Sequence, residues 1–378
     1  MTISVLCFDC SDNAVGRADL LARLLRPEYD VEVVGPCFKG EVWAPVRDGS
    51  VKYRTVAGSR YPAFAGTLRS LVRLADGDVL YASKPRPTSY GVGLLARMAR
   101  RRPLLLDIDD WEVGFFYRGG AWGTIGRFLN LANPNGLPWT WLMERLTGRA
   151  QAITVASRFL QQRFGGVVIP HVRDTDEWRP ERYQPEPGRA RLGVGTERVV
   201  MFLGTPRSHK GIDDLALALR LLARPDVVLA VVGCAPDSAA ARAFAGLGRS
   251  VRLIPEIPFA EVPLYLTAAD VVAIPQRLGP DTIGQVPAKL FDAMALGRPL
   301  VSTRVSMIPE VLDDSGVLVE PGDPAGLARA IAWLLDHPAE AVTLGRKARE
   351  RCVVRYSYAA ARQSLFPLIE QVVTRPGK

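Results

Sequence analysis

The stretch FLGTPRSHKGIDDL, residues 202–215, is the clearest strand–loop–helix signal in the second half of the chain. An apolar strand runs into Gly204, a basic loop follows, and a helix begins near Ile212. Glycine permits close backbone approach, and the amino end of a helix attracts anions. The stretch therefore predicts an anion site at the carboxyl end of a parallel strand.

Three basic side chains stand in this loop, namely Arg207, His209 and Lys210. Charge develops on a departing diphosphate during transfer, and fixed positive groups stabilise that charge. We predict that Lys210 and Arg207 are catalytic groups of this kind. The alternative interpretation is a solvated basic turn.

A second stretch, DTIGQVPAKLFDAMALGRPLVST at residues 281–303, has a loop with Gly284 that leads into a helix at Pro287. The backbone N–H groups of Gln285 and Val286 precede that helix, where unpaired amides favour an anion. The sequence therefore predicts that this loop also contributes to binding the diphosphate.

Lys289 and Asp292 are three residues apart on the same predicted helix, so they share one face. One interpretation places both at the diphosphate site, with Asp292 near sugar hydroxyls. The other is an ordinary surface ion pair, which contributes little to stability.

Short apolar strands alternate with helical runs in both halves of the 378 residues, which predicts parallel sheets flanked by helices. Most of residues 176–197 are polar or rich in Pro and Gly, which indicates a linker. We predict an α/β protein with an N-terminal domain at 1–175 and a C-terminal domain at 198–355 that carries the anion site.

The net charge of +9 favours anionic partners, but no nucleic-acid-binding signature accompanies it, so nucleic acid is not expected. Five cysteines, an odd number in a large chain, indicate reduced thiols and a cytoplasmic location. No signal peptide and no apolar run of about 18 residues is found.

An aromatic insert at residues 113–142 breaks the alternation of strands and helices. It has three interpretations: a helical lid packed on the N-terminal domain, an apolar acceptor pocket, or a patch for an anionic membrane surface. The last rests on aromatics near the basic residues Arg118, Arg127, Arg145 and Arg149.

The chain resembles the retaining glycosyltransferases of the family 4 type, which have two Rossmann-like domains in the GT-B architecture. The resemblance is carried by the glycine–basic–KG loop, then IPFAEVPLYLTAADVVAIP, VPAKLFDAMALGRPLV and IPEVL. It implies two domains that face each other across a cleft. It also implies that the last helix, at about 356–378, crosses back to the N-terminal domain.

The resemblance also assigns residues to the donor site. Lys210 matches the family's diphosphate lysine, while Thr205 stands where the family has an arginine, with Arg207 as its nearest substitute. Asp292 matches the second Glu of the family's Glu–seven residues–Glu motif, which holds the nucleotide ribose. The first Glu, which helps to bind the donor sugar, falls at Gly284.

The turn around Ile257 matches the segment that meets the nucleobase, and Gly16 resembles the family's first-loop glycine near the phosphates. His171 replaces the Asn of the usual I-P-N motif and is taken as structural.

In LLLDIDDWE, residues 104–112, Asp109 occupies the position of the family's His, and Asp110 follows it. These carboxylates would bind hydroxyls or assist proton transfer, or they would serve as a helix cap and a buried ion pair. Arg17 and Lys84 are further acceptor-side candidates.

The resemblance implies transfer of a sugar from a UDP or GDP sugar to a sugar, lipid-linked or small-molecule acceptor, with retention and with neither metal nor cofactor. It also admits a peripheral position at the inner membrane face. Two alternatives stay open: a sugar-nucleotide epimerase of the same fold, and a degenerate member that acts as a partner subunit.

Overall fold

The computed structural model describes residues 1–117 and 125–374, and these form two compact units. The first unit comprises Met1–His171, Ile283–Gln285 and Ala361–Lys378, and the second comprises Val172–Thr282 and Val286–Ala360. Each unit has its own parallel sheet and its own hydrophobic core.

The first unit is built on a seven-stranded parallel sheet in the order β3-β2-β1-β4-β5-β6-β7. Its strands are β1 Thr2–Leu6, β2 Asp30–Cys37, β3 Lys52–Ala57, β4 Val79–Ser83, β5 Leu104–Ile108, β6 Ala152–Val155 and β7 Val167–Val168. Its helices include α1 Val15–Leu25, α2 Phe64–Leu74, α3 Val92–Arg100, α4 Leu137–Arg145 and α5 Arg158–Phe164. The central strands are buried throughout because helices cover both faces of such a sheet.

The second unit repeats the plan with six parallel strands in the order β10-β9-β8-β11-β12-β13. These are β8 Arg198–Leu203, β9 Val227–Val232, β10 Val251–Ile254, β11 Val271–Ile274, β12 Leu300–Thr303 and β13 Val317–Val319. Its helices include α6 Pro185–Leu192, α7 Ile212–Leu222, α8 Val262–Thr267, α9 Ala288–Ala295, α10 Ile308–Leu312, α11 Pro324–Asp336 and α12 Pro338–Arg355.

In both sheets the strand order reverses beside the first strand, between β1 and β4 and between β8 and β11. Loops that leave the carboxyl ends of neighbouring strands diverge there, which is where such sheets bind ligands. The predicted fold class, two Rossmann-like α/β domains, is confirmed for the two parallel sheets.

The units divide between His171 and Val172, earlier than the predicted linker at 176–197. Those residues include α6, which packs on α8 so closely that a β-carbon at Gly188 would stand 2.2 Å from the carbonyl oxygen of Leu264. The segment is therefore part of the second unit, and its proline and glycine content reflects a tightly packed helix.

The last helix, α13 Tyr358–Thr374, lies with the first unit from Ala361 onward. The guanidinium of Arg362 donates to the carbonyl oxygen of Leu24 at 2.9 Å, and the ring of Phe366 contacts that of Tyr29. The C-terminal segment thus completes the packing of the N-terminal sheet.

All five cysteines are buried and free. In the described ranges, no helix combines the length and the hydropathy that crossing a bilayer requires. Residues 118–124, which include Arg118 of the aromatic insert, and residues 375–378 lie outside the described ranges.

Candidate functional site

The loop after β8 has a backbone conformation that favours glycine at two places. Gly204 has φ +103° and Gly211 has φ +70°, both in the left-handed region. A β-carbon at Gly211 would stand 1.7 Å from the carbonyl oxygen of Pro275, which follows β11. The loop is therefore held against the neighbouring strand, at the reversal of strand order.

Lys289 on α9 reaches this loop from the side. Its side chain is buried, with 8% exposure, and its Nζ lies 3.7 Å from the centroid of the Phe202 ring on β8. A β-carbon at Gly204 would lie 4.0 Å from the same Nζ. The ammonium has no hydrogen-bond partner among the described residues, which is costly for a buried charge.

The second cation at this place is Lys210. Its Nζ donates to the carbonyl oxygen of Thr205 at 2.8 Å, so the side chain folds back over the loop. Burial, and next the positive charge of Lys210, hold the pKa of Lys289 well below its usual range. An ammonium whose pKa is lowered by burial and by a second positive charge would be stabilised by a bound anion.

Asp292 does not form the predicted surface pair with Lys289. Both are buried, and Asp292 accepts from the guanidinium Nε of Arg173. Burial raises the pKa of Asp292, and the ion pair with Arg173 opposes that rise. The physical reason is that α9 is buried along nearly its whole length, so its polar residues need partners within the unit.

Arg173 is a residue that the sequence did not single out. Its guanidinium also donates to the carbonyl oxygen of Val172 at 2.7 Å and lies over the rings of Trp178 and Phe259. Its backbone pairs with Tyr356 and Tyr358. The only sequence signal was its position in IPHVR, immediately after the motif that carries His171.

The remaining donor candidates lie in the loop itself or after β10. Arg207 and Thr205 are exposed, and Ile257 is half-buried after β10. His209 is buried with its Nδ1 3.9 Å from a carboxylate oxygen of Asp281. Their contact with a nucleotide stays a prediction.

Gln276 is a second residue that the sequence did not indicate. It follows β11, is buried, and its side-chain Nε2 has no hydrogen-bond partner among the described residues. β11 pairs with β8, so Gln276 and Gly204 leave the same edge of the sheet. An unpaired amide donor at this edge adds to the capacity for binding an anion or a carbonyl group.

Gly284, where the family's first Glu would stand, is closely packed in the first unit. A β-carbon there would lie 3.2–3.3 Å from side-chain atoms of Phe159, Leu160 and Trp111. Its carbonyl oxygen accepts from Ser157. The position therefore has little room for a glutamate side chain.

The two residues after Gly284 have different surroundings. The side-chain Nε2 of Gln285 donates to Asp110 at 3.0 Å within the first unit, whereas Val286 is buried in the second unit. Contact of their backbone amides with an anion stays a prediction.

Arg17, an acceptor-side candidate, is fully engaged within the first unit. Its guanidinium forms two hydrogen bonds with Asp107, at 2.7 and 2.8 Å, and donates to the carbonyl oxygens of Ile169 and Pro170. These bonds tie α1 to β5 and to the end of the unit, so the arrangement indicates a structural role. Gly16, one residue earlier, has open space where a β-carbon would stand.

Lys84 lies at the centre of an acidic cluster after β4 and β5. Its Nζ is 3.0 Å from Asp109, 2.7 Å from Asp110 and 2.8 Å from Glu112. Glu112 is also paired with Arg86. The three carboxylates stand close enough to hold a metal ion, but the Lys84 ammonium already supplies the positive charge among them.

The surroundings of the cluster shift the pKa values of Asp109 and Glu112 in opposite directions. Burial raises the pKa of Asp109 to about 7, although Lys84 opposes the rise. Burial acts in the same direction on Glu112, but Arg86 and Lys84 outweigh it and lower the pKa to about 2. Asp109 is thus the carboxyl group of this cluster that exchanges a proton near neutral pH.

Two family models together cover most of the chain. The model described as "Glycosyl transferases group 1" matches residues 197–337, and the one described as "Glycosyl transferase 4-like domain" matches residues 14–175. The chain belongs to the family 4 type of glycosyltransferases. It is therefore an enzyme of the glycosyltransferase class.

Similar proteins include the GDP-mannose-dependent alpha-(1-6)-phosphatidylinositol monomannoside mannosyltransferase of Mycolicibacterium smegmatis, 28% identical over 84% of both chains. The D-inositol 3-phosphate glycosyltransferase of Segniliparus rotundus is 34% identical over 47% of this chain and 41% of its own.

Solved structures show the same fold. Anabaena HepE in complex with UDP-glucose has a TM-score of 0.76 at 19% identity and covers 98% of this chain and 100% of its own. Sucrose-phosphate synthase from Thermosynechococcus elongatus has a TM-score of 0.72 at 18% identity, with 99% of each chain covered. The glycosyltransferase thus has the GT-B fold that the resemblance implied.

Proposed function

We propose that this glycosyltransferase takes a sugar from a nucleoside diphosphate of the UDP or GDP type and transfers it to an acceptor hydroxyl, with retention and without a metal. The observation that carries the proposal is the buried ammonium of Lys289, which has no hydrogen-bond partner in the described chain and stands beside Gly204. Such a group needs an anion, and a diphosphate supplies one.

The surroundings of Lys289 support an anionic ligand at this place. Burial and the positive charge of Lys210 lower its pKa, and a bound anion would raise that pKa again. Lys210 lies close enough to contribute to that lowering, so a single ligand would relieve both ammonium groups. The amino end of α9 adds amide donors of the same polarity.

In the proposed reaction the bond between the anomeric carbon and the diphosphate oxygen breaks, and the acceptor oxygen bonds to that carbon. The hydroxyl proton passes to a base, and the diphosphate leaves with the electron pair of the broken bond. Lys210 and Lys289 would stabilise the charge on the leaving group, and the exposed Arg207 would add a third positive charge. One preorganised donor of this kind contributes about 10²–10³ in rate.

The names of similar proteins support a nucleoside diphosphate sugar. The M. smegmatis enzyme is described as GDP-mannose-dependent, and the Anabaena structure holds UDP-glucose. For this chain, the close packing at Gly284 means that the donor sugar is held without the family's first glutamate. We therefore expect the contacts to the sugar to differ from those of family members that have the full motif.

Acceptor recognition is proposed for the first unit, with Asp109 and Asp110 as hydroxyl-binding carboxylates. Asp109 titrates near neutral pH, the condition for general-base assistance. The acceptor would be a sugar, a lipid-linked glycan or a small molecule, in the cytoplasm or at the inner membrane face. The M. smegmatis relative, by its name, acts on a phosphatidylinositol mannoside.

Nucleotide binding is tested first by thermal shift with UDP, GDP and ADP. A nucleotide at 100 times its dissociation constant should stabilise the protein by about 2.7 kcal/mol. Donor sugars of the binding nucleotide are then assayed for transfer. Failure of every nucleoside diphosphate to bind would contradict the proposed donor class.

A variant then tests the ammonium group of Lys210. Lys210→Ala should lower transfer by at least about 10² while the fold is retained. Lys347→Ala is the matched control, because Lys347 is an exposed lysine paired with Asp314 in the same unit. Near-normal turnover of Lys210→Ala would remove it from the mechanism.

Product analysis separates the two alternatives. Conversion of the nucleotide sugar without acceptor would favour an epimerase. Nucleotide binding with neither transfer nor hydrolysis would favour a degenerate partner subunit.

A further inference from the structure

Three side chains at the carboxyl edge of the second sheet have a buried polar atom without a hydrogen-bond partner among the described residues. They are the amide Nε2 of Gln276 after β11, the ammonium of Lys289 at the start of α9, and the hydroxyl of Ser306 after β12. The described part of the second unit has one other such atom, Nε of Arg298, which precedes β12 at the opposite edge. Buried polar atoms are nearly always paired, so this concentration beside the reversal of strand order indicates a ligand site.

The backbone of Gln276 is held on both sides. Its carbonyl oxygen accepts from the hydroxyl of Thr303 at 2.6 Å, and the next amide, that of Arg277, donates to the carbonyl oxygen of His209 at 2.9 Å. The Arg277 guanidinium forms two hydrogen bonds with Asp214 on α7, at 2.6 and 2.7 Å. Since Gln276 is only 1% exposed, its amide is confined beside the basic loop that follows β8.

Ser306 has two unfavourable features at one position. Its φ of +52° lies in the left-handed region, which serine adopts at a cost, and its hydroxyl oxygen is buried without a partner in the described chain. Backbone hydrogen bonds close the turn around it, from Val305 to Thr303 at 2.8 Å and from Ile308 to Val305 at 3.1 Å. Glycine would remove both costs, so a serine at this place indicates a functional contact of its hydroxyl.

The chemistry of Gln276 and Ser306 differs from that of the two lysines. A carboxamide and a hydroxyl are neutral, and each both donates and accepts hydrogen bonds. Diphosphate oxygens only accept, and the ammonium groups of Lys289 and Lys210 serve that purpose in the proposed function. A sugar hydroxyl also donates and accepts, so the neutral pair matches hydroxyl groups next to the diphosphate.

We propose that Gln276 and Ser306 bind hydroxyl groups of the donor sugar and thereby select it. The inference rests on the proposed function and extends it, because the sugar is bonded directly to the diphosphate that Lys289 would neutralise. Gly284 has little room for the family's glutamate side chain, so the sugar needs contacts from other residues. A site built to hydrogen-bond a hydroxyl discriminates against a sugar that lacks it, since the buried amide is then left unpaired.

The test is titration calorimetry of the full chain with UDP, GDP, UDP-glucose, UDP-N-acetylglucosamine and GDP-mannose. We expect Gln276→Leu to bind the sugar nucleotide about five- to tenfold more weakly, as for one lost hydrogen bond, with the affinity for the free nucleoside diphosphate within about twofold. Gln184→Leu, at an exposed glutamine of the same unit, is the matched control and should bind like the unchanged protein.

Ser306→Gly separates a binding role from a structural one. The change relieves the left-handed backbone, so the melting temperature should rise, while the affinity for the sugar nucleotide should fall about fivefold. Ala223→Gly is the control, because Ala223 is an exposed residue with φ +48° at the end of α7. It should raise the melting temperature without a change in affinity. A lower melting temperature of Ser306→Gly would show that the hydroxyl is already satisfied and would overturn its assignment.

Deoxy analogues of the bound sugar nucleotide identify the hydroxyl. The unchanged protein should bind one of them at least about tenfold more weakly than the parent sugar nucleotide, and Gln276→Leu should bind the two alike. Equal losses of affinity for the nucleoside diphosphate and the sugar nucleotide in Gln276→Leu would overturn the assignment to the sugar, as would unchanged affinity for both. Failure of UDP and GDP to bind the unchanged protein would instead contradict the proposed function itself.

Discussion

A lysine side chain that is buried beside a second ammonium group costs stability unless something neutralises it. Lys289 is in that situation, with the Phe202 ring below its ammonium and Lys210 nearby. Because its pKa is lowered in the folded state, the unfolded chain binds more protons between the two pKa values. Stability from this group therefore rises with pH.

Lys289→Met should raise the free energy of unfolding by about 1–3 kcal/mol at neutral pH, because the folded chain holds this amine at a lowered pKa and an apolar side chain of similar length removes that cost. The same change should weaken nucleotide binding. Denaturation in urea at pH 7 and pH 9 measures the first effect, and the gain should shrink at pH 9. A loss of stability at pH 7 would show that the ammonium is satisfied in the folded chain.

Asp109 gives a pH dependence of the opposite sign. Its pKa is raised to about 7 by burial, so the folded state retains a proton that the unfolded chain has lost above about pH 4. The contribution of this group to stability is therefore present at low pH and is lost as pH rises toward 7.

Asp109→Asn should remove that dependence, changing the fall in unfolding free energy between pH 4.5 and pH 7.5 by roughly 2–4 kcal/mol. The measurement is urea denaturation across this range, compared with the unchanged protein. Identical pH profiles for the two proteins would mean that Asp109 is ionised throughout the range.

At the residue scale the sequence indicated candidate side chains of the site but not the partners of those side chains. Lys289 and Asp292 were placed on one face of a helix, which is local information. The pairing of Asp292 with Arg173 joins residues 119 apart in the chain, and no spacing rule reports such a contact. Burial of Lys289 likewise depends on where α9 packs, which only the tertiary structure shows.

At the element scale, the loop between β8 and α7 depends on Gly211. Its positive φ and the nearby Pro275 carbonyl leave no room for a side chain. Gly16 is the contrasting case, because it lies in the first turn of α1 with open space around it and an ordinary φ.

Gly211→Ala should therefore destabilise the second unit by more than about 2 kcal/mol, while Gly16→Ala should be neutral or stabilise by about 0.5–1 kcal/mol. If Gly16 approaches donor phosphates as the family resemblance implies, Gly16→Ala will lose activity despite its stability. Thermal denaturation with a transfer assay separates the two outcomes. Full activity of Gly16→Ala would remove Gly16 from the donor site.

The sequence indicates strands most clearly where the run is apolar throughout, as in β9, VVLAVV, and β13, VLV. β3 was not predicted, because KYRTVA is half-exposed at the sheet edge and has three polar residues among its first four. β7 has only two residues, too few for a pattern.

At the scale of the whole molecule, composition predicted two α/β domains but not where they divide. The polar, proline-rich 176–197 segment was predicted as a linker, whereas its helix packs in the second unit. Packing of α13 on the first unit was implied by family resemblance alone. Contacts made at the end of the chain leave no local signature.

Leu365 and Val373 test the role of α13 as part of the N-terminal core. Leu365 is fully buried, whereas Val373 on the same helix is exposed. Leu365→Ala should lower the free energy of unfolding by about 2–5 kcal/mol, and Val373→Ala should change it by less than about 0.5 kcal/mol. Equal effects in chemical denaturation would show that α13 does not contribute to the core.

The most direct test of the donor site is titration calorimetry of UDP and GDP in two buffers of different ionisation enthalpy. A bound diphosphate should raise the pKa of Lys289, so at least one nucleotide should bind with proton uptake, and its affinity should fall as pH rises. Lys289→Met should lose the proton uptake and most of the affinity. Equal affinity and no proton uptake in both proteins would contradict the account.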